Sequence, residues 1–361
     1  MIKKSIRFRP TLLASVGIAA LVLVGCTTEA TTPAEEATDA PETTETEETP
    51  SVAADSPEFV DFRVMESGYG AGLKLGFIAL GDSIPFSSLV TESMRQQAEI
   101  AGVELIVCDS DFDGAKALEC VQNFKTQGVQ GYLNFQLDSA AAAGICAEGP
   151  QVPVISVDIR QEPCQVAFMG ANNERAGFVG GVALGEYFQD NFNCEYDSFV
   201  SLEQPAAGVV NDYRMGGYQA GFASVCGDIT NLLDIDAGGV TDQARTVFAD
   251  VLTTLPGQER IVVVGINDDV LLGALAAART AGREGDLYMS GQGADPSAHC
   301  EIAANPNWVG DVAYFPERYG EIGISYLIDL VNGVEVPADL LIPHVFVDET
   351  NIGDFYDVTS C

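Results

Sequence analysis

A chain of 361 residues is long enough for two domains of ordinary size. With 47% apolar and 19% charged residues most of it can bury a core, which excludes a small disulfide knot and a wholly disordered chain. Fifty-three acidic residues face 17 basic ones, a formal net charge of −36, and beyond position 26 only thirteen bases remain against all 53 acids, a net −40. Such a surface repels phosphate backbones and excludes nucleic acid as a partner; it also points to salty surroundings, where screening shortens self-repulsion.

Residues 1–26 combine a basic start (Lys3, Lys4, Arg7, Arg9), an apolar run from Leu12 to Val24, and the tetrapeptide Leu23-Val24-Gly25-Cys26. The run is short for a bilayer span and reads as the core of a secretion signal. Small residues followed by Cys resemble the bacterial lipoprotein cleavage box, which implies a lipid-modified Cys26. Buried acyl chains, at about 0.8 kcal/mol per CH₂, would hold the protein to the outer face of the cytoplasmic membrane. From residue 27 to 72 the chain is rich in Thr, Glu, Ala and Pro, and is expected to be a disordered acidic tether.

Setting Cys26 aside leaves eight cysteines, an even number that favours disulfides in an exported protein. No CxxC or Cys/His spacing calls for a metal, and His299 and His344 are far apart in sequence, so neither metal nor cofactor is expected.

Beyond Leu73, short apolar runs alternate with segments of helical period. Candidate strands are 73–80, 103–109, 131–135, 153–158 and 166–171, with helices beginning near Phe86, Gly114 and Ser139. The pattern restarts with 197–204, 231–237, 260–267, 286–293 and 308–315. Strands repeating with helices predict two similar α/β lobes, each a doubly wound parallel sheet of right-handed βαβ units. Ligands of such sheets collect at the carboxyl ends of the strands. Those ends offer Asp82-Ser83, the acids of 109–113, Asp158 to Arg160, Gln204, Asp234 to Asp236, Asn267-Asp268, Gln292 and Tyr314. Acids, amides, arginines and aromatic rings together suit a neutral polyhydroxylated ligand.

Over about 73–350 the chain resembles the type I periplasmic sugar-binding proteins, especially their ribose- and galactose-binding branch. The most specific segment is IVVVGINDDVLLGALAAARTAG (261–282), supported by 75–111, PVISVD (153–158), DYRMGGYQAGF (212–222) and WVGDVAYFPERYGEIG (308–323), in the same order along the chain. The resemblance implies two lobes joined by a three-segment hinge near Asn172, Phe315 and Pro343. The lobes would be 73–172 with 315–343, and 173–314 with 344–361; the helix 317–332 would return to the first and 344–348 to the second. It further implies a monomer that closes on a small sugar or sugar-like molecule and hands it to an ABC permease.

Carried over by position, the resemblance places Ser83 and Phe86 of the first strand–helix loop against the ligand, together with Asp158 and Asn267. The arginine usual after the aspartate is Ile159 here, with Arg160 one step later. Asp212, rather than Arg214, falls at the next contact position. Asp268 follows Asn267, Gln292 or Asp295 stands in for an aspartate that falls near Gly293, and a late glutamine becomes Tyr314. These changes argue against ribose itself. Sequence proximity pairs Cys108 with Cys120 and Cys146 with Cys164 in the first lobe, and Cys194 with Cys226 and Cys300 with Cys361 in the second, leaving the hinge free.

Asn267 also suits the cap of a helix over 268–282, and a surface ion pair would account for Asp212 or Arg160. The run 109–120 opens like a calcium loop but carries Cys120 at position twelve and follows a strand, so an acidic helix-capping turn is the reading. GQGADP (291–296) lacks the third glycine of a dinucleotide fingerprint. A secreted hydrolase would need a GxSxG elbow, a Cys–His pair or HExxH, and none occurs. A sensory lipoprotein of the same fold differs only in its partner.

Overall fold

The computed structural model describes residues 59–361; Cys26 and most of the expected tether lie outside the described residues. The chain runs β1 (Lys74–Ala79), α1 (Pro85–Ala101), β2 (Glu104–Asp109), α2 (Gly114–Gln127), β3 (Gly131–Asn134), α3 (Ala142–Glu148), β4 (Val154–Val157) and β5 (Ala167–Gly170). It continues through α4 (Asn173–Phe192), β6 (Ser198–Glu203), α5 (Val209–Cys226), β7 (Leu232–Asp236), α6 (Thr241–Thr254), β8 (Ile261–Gly265) and α7 (Asp268–Ala281). The last third holds β9 (Leu287–Gly293), α8 (His299–Ala304), β10 (Trp308–Ala313), α9 (Tyr319–Val331), β11 (Asp339–Leu341) and β12 (Val345–Val347).

Two six-stranded sheets result, ordered β11-β5-β4-β3-β1-β2 and β12-β10-β9-β8-β6-β7. Every pairing is parallel except β10 with β12. Central strands read as continuous apolar runs because helices cover both faces: all five residues of β8 and all four of β3 and β4 are buried. Each sheet has its own core, one centred on Phe77, Leu133 and Ile155, the other on Phe199, Val263 and Phe222. The two-lobe parallel α/β architecture read from the sequence is the one observed.

Local chemistry sets the element ends. Asp113 caps α2 by accepting from the backbone N–H of Ala115 at 2.7 Å, and α1, α2 and α7 stop at Gly102, Gly128 and Gly282, all left-handed. The acids of 109–113 are thereby occupied: Asp109 accepts from the Asp111 N–H at 2.8 Å and Asp111 pairs with Lys116 at 2.6 Å.

The chain passes between the sheets after β5, after β10 and after β11. Asn172 caps α4 just past the first passage, accepting from the Arg175 N–H at 3.0 Å. Phe315, in the second, holds a left-handed backbone (φ 58°). Disulfides join Cys108–Cys120, Cys146–Cys164, Cys194–Cys226 and Cys300–Cys361.

One boundary is corrected. The tether was expected to extend to Gly72, yet residues 59–72 belong to the fold. Val60 donates its N–H to the Leu341 carbonyl (3.0 Å) and Gly70 to that of Ala101 (2.9 Å). Arg63 and the Tyr69 hydroxyl each bond the Asp329 carboxylate at 2.5 Å, and Phe62 packs edge-on against Phe315. Four apolar anchors, Phe59, Val60, Phe62 and Met65, are at least partly buried and hold this stretch to the fold.

Candidate functional site

A cavity of about 110 Å³ lies at the carboxyl ends of both sheets, with walls drawn from both lobes. Parallel strands all point their carboxyl ends the same way, so loops after β1, β3 and β4 face loops after β6, β8, β9 and β10.

The second lobe supplies most of the polar wall. Arg214 reaches in from α5, its Nε donating to Asn173 Oδ1 (2.7 Å) and one terminal nitrogen to the Ile266 carbonyl (2.9 Å). Its guanidinium lies 5.0 Å from the Tyr314 ring centroid. Asn267 does cap α7, accepting from the Val270 N–H at 3.1 Å while Nδ2 donates to the Gly239 carbonyl at 3.0 Å. One amide hydrogen and one lone pair remain for the cavity it lines. Gln292 accepts from the Tyr314 hydroxyl, leaving its buried amide nitrogen with no protein partner. Asp295, 2% exposed, keeps an unpartnered carboxylate oxygen.

The first lobe contributes Asp158 and a set of apolar groups. Asp158 sits in the left-handed region (φ 56°) at the end of β4 and accepts from the Tyr319 hydroxyl at 3.2 Å. Burial pushes its carboxyl up to about 6; the charge of Arg214 and the Tyr319 hydrogen bond pull the other way without cancelling that cost. Ser87 lines the cavity but spends its hydroxyl on the carbonyls of Gly81 and Ile84.

Seven of the eleven sequence-derived candidates therefore line one cavity: Phe86, Asp158, Arg214, Asn267, Gln292, Asp295 and Tyr314. Four do not. Ser83 is exposed on the loop before α1. Arg160 pairs with Asp339 at 2.6 Å and lies over the Phe168 ring, fastening β11 to its neighbour. Asp212 is exposed in the first turn of α5, so the preference for it over Arg214 is reversed: residues two apart on a helix face nearly opposite ways, and α4 turns the Arg214 side inward. Asp268 is fully buried behind the wall.

Asp268 belongs to a group that the sequence did not reveal. Asp295 donates its backbone N–H to Asp268 Oδ2 at 2.5 Å, and one carboxylate oxygen each of Asp268 and Asp311 is buried without a hydrogen-bond partner. All three acids are at most 2% exposed. Burial raises all three groups, Asp268 to about 6 and Asp295 and Asp311 well above the usual range, with the neighbouring acids adding to the rise in the latter two. Among the described residues no group of three or more His, Cys, Asp or Glu is placed to hold a metal ion. The available signal for Asp311 was a lone acid inside the apolar run WVGDVAYF.

The cavity can seat a small molecule between a wall rich in donors and acceptors and a wall of mostly apolar groups. Comparisons with known proteins agree. The ribose import binding protein of Salmonella typhimurium is 25% identical over 260 residues, covering 70% of this chain and 83% of that one. The galactofuranose-binding protein of Escherichia coli is 21% identical, covering 70% and 84%. Among solved structures, an ABC transporter solute-binding protein from Mycobacterium smegmatis with bound glycerol superposes with a TM-score of 0.71 at 24% identity, over 78% of this chain and 96% of that one. One from Bacillus halodurans with bound myo-inositol gives 0.68 at 19% identity, over 80% and 99%. The family model described as the periplasmic binding protein domain matches residues 75–335, and the chain belongs to that family, as a binding protein and not an enzyme.

Proposed function

We propose that this protein captures a small sugar or sugar-like molecule between its lobes, closes on it by hinge motion, and delivers it to an ABC importer as a lipid-anchored receptor outside the cytoplasmic membrane. The observation that carries the reading is that both lobes contribute to one small cavity: Asp158 from the first, Arg214, Asn267 and Gln292 from the second. A ligand bridging the two favours the closed form by its differential affinity. The relatives named for ribose and galactofuranose support a carbohydrate-like ligand.

The lobes in this reading are 73–172 with 315–343, and 173–314 with 344–361, joined by the three passages between sheets. No described helix is long and apolar enough to cross a membrane. The anchor is assigned to Cys26, and the protein works as a monomer without a cofactor. Thermal-shift titration with ribose, galactose, myo-inositol and glycerol tests capture, since a ligand of the native state stabilises by RT ln(1 + [L]/Kd). At least one is expected to raise Tm, and Asp158→Ala or Asn267→Ala to weaken that rise while the apo protein stays folded. Undiminished shifts in both variants would place the site elsewhere. Replacement of Cys26 by Ala is expected to move the protein from the membrane fraction to the soluble one.

A further inference from the structure

The two walls of the cavity differ in their share of polar groups: the second-lobe wall sets Gln204, Arg214, Asn267, Gln292 and Asp295 beside the apolar Ala207, Val210 and Ile266. On the first-lobe side Leu80, Ile84, Phe86, Phe135, Leu137 and Ile159 line it, and Asp158 is the one side chain there whose polar atoms are not already spent within the loop. On the opposite side Gln292 and Asp295 keep a buried donor and a buried acceptor without protein partners. A hydroxyl pressed against the aliphatic side would lose water and gain nothing. A methyl or methylene there would fill the space at no polar cost.

We infer that the ligand is a deoxy or O-methylated sugar or cyclitol, its hydroxylated edge held by Gln292, Asp295, Asn267 and Arg214 and its hydroxyl-free flank against Leu137 and Ile159. This inference rests on the sugar-receptor reading and narrows it. The guanidinium of Arg160, the nearest cation in sequence to that wall, is turned away onto Asp339 and Phe168. The apolar side is therefore a property of the folded site and not of the loop composition alone.

Matched pairs of probes test it by calorimetric titration of the full chain carrying Cys26→Ala: D-fucose against D-galactose, L-rhamnose against L-mannose, and 3-O-methyl-D-glucose against D-glucose. In every pair that binds, the member lacking or masking the hydroxyl is expected to bind about 10- to 100-fold tighter, the range over which apolar pockets discriminate such small changes. Ile159→Asn and Leu137→Asn, each checked for an unchanged apo Tm, are expected to shift the preference about tenfold toward the hydroxylated parent. Tighter binding of the parents by the unaltered protein would overturn the inference while leaving the receptor reading intact. An unchanged preference in both variants would also overturn it. Binding of no probe by a folded protein would overturn the receptor reading and this inference with it.

Discussion

Asp311 illustrates what a single residue can conceal. In the sequence it is one acid in an apolar strand; in the fold it is fully buried, and burial together with the charge of Asp268 raises its pKa well above the usual range. Both groups titrate higher in the folded state than in the unfolded chain, whose aspartates lose their protons near 4. The folded protein thus binds more protons than the unfolded chain above that pH. Its stability from these groups is fully present below about 4 and declines as pH rises, through about 6 for Asp268 and beyond for Asp311, at about 1.4 kcal/mol per pH unit for each proton held. Thermal unfolding followed from pH 4.5 to 8 should show Tm falling with pH. Asp311→Asn keeps an acceptor for the Ala294 N–H and supplies an amide hydrogen to Asp268. It should raise Tm at pH 7.5 and leave Tm near pH 4.5 unchanged; equal shifts at both pH values would show that the acid is not protonated in the fold. Strand-end reasoning reached Asp158, Asn267, Gln292 and Tyr314 because position along the strand was enough to find them. Deciding between Asp212 and Arg214 required the rotation of α5 about its own axis, which no local pattern reports.

That rotation is fixed by how α5 meets α4. Gly177 and Gly181 of α4 lie against Gly217 and Gly221 of α5 so closely that an added Cβ would stand 2.2 Å from the Tyr218 carbonyl oxygen at Gly181 and 2.2 Å from that of Phe178 at Gly221. These obstacles are backbone atoms and cannot rotate aside. Gly221→Ala should cost about 1–3 kcal/mol in chemical denaturation, the usual range for overpacking. Because spreading the helices would shift Arg214 from Asn173, ligand affinity should fall with it. Gly216, exposed on the same helix with nothing near its Cβ position, is the control: Gly216→Ala should leave affinity unchanged and stability equal or higher. A comparable loss from both variants would assign the effect to helix propensity instead of close approach. The ten strands of the two repeats were readable as elements because each is a short apolar run and all but β4 are followed by a helical period. The short strand β11 was not: its three residues acquire meaning only by pairing with β5, some 170 positions earlier.

At the scale of the whole molecule, long-range contacts explain the misplaced tether boundary. Arg63 and Tyr69 find Asp329 more than 250 residues away, so the start of the folded part could not be seen from local composition. Charge, by contrast, is legible at this scale and at no smaller one. A net −40 beyond position 26 repels itself across the surface, and the ion pairs of the fold are mostly exposed pairs worth at most about 1 kcal/mol each. Added salt weakens both, but self-repulsion sums over every acid and acts over the longer range, so its relief dominates. The Debye length falls from about 10 Å at 0.1 M to about 3 Å at 1 M. Tm should therefore climb by several degrees between 0.05 and 1 M NaCl, and by a similar amount with choline chloride, since screening does not distinguish the cations. A flat or falling profile would mean that the acids are already compensated locally. A rise with sodium alone would point instead to specific cation sites.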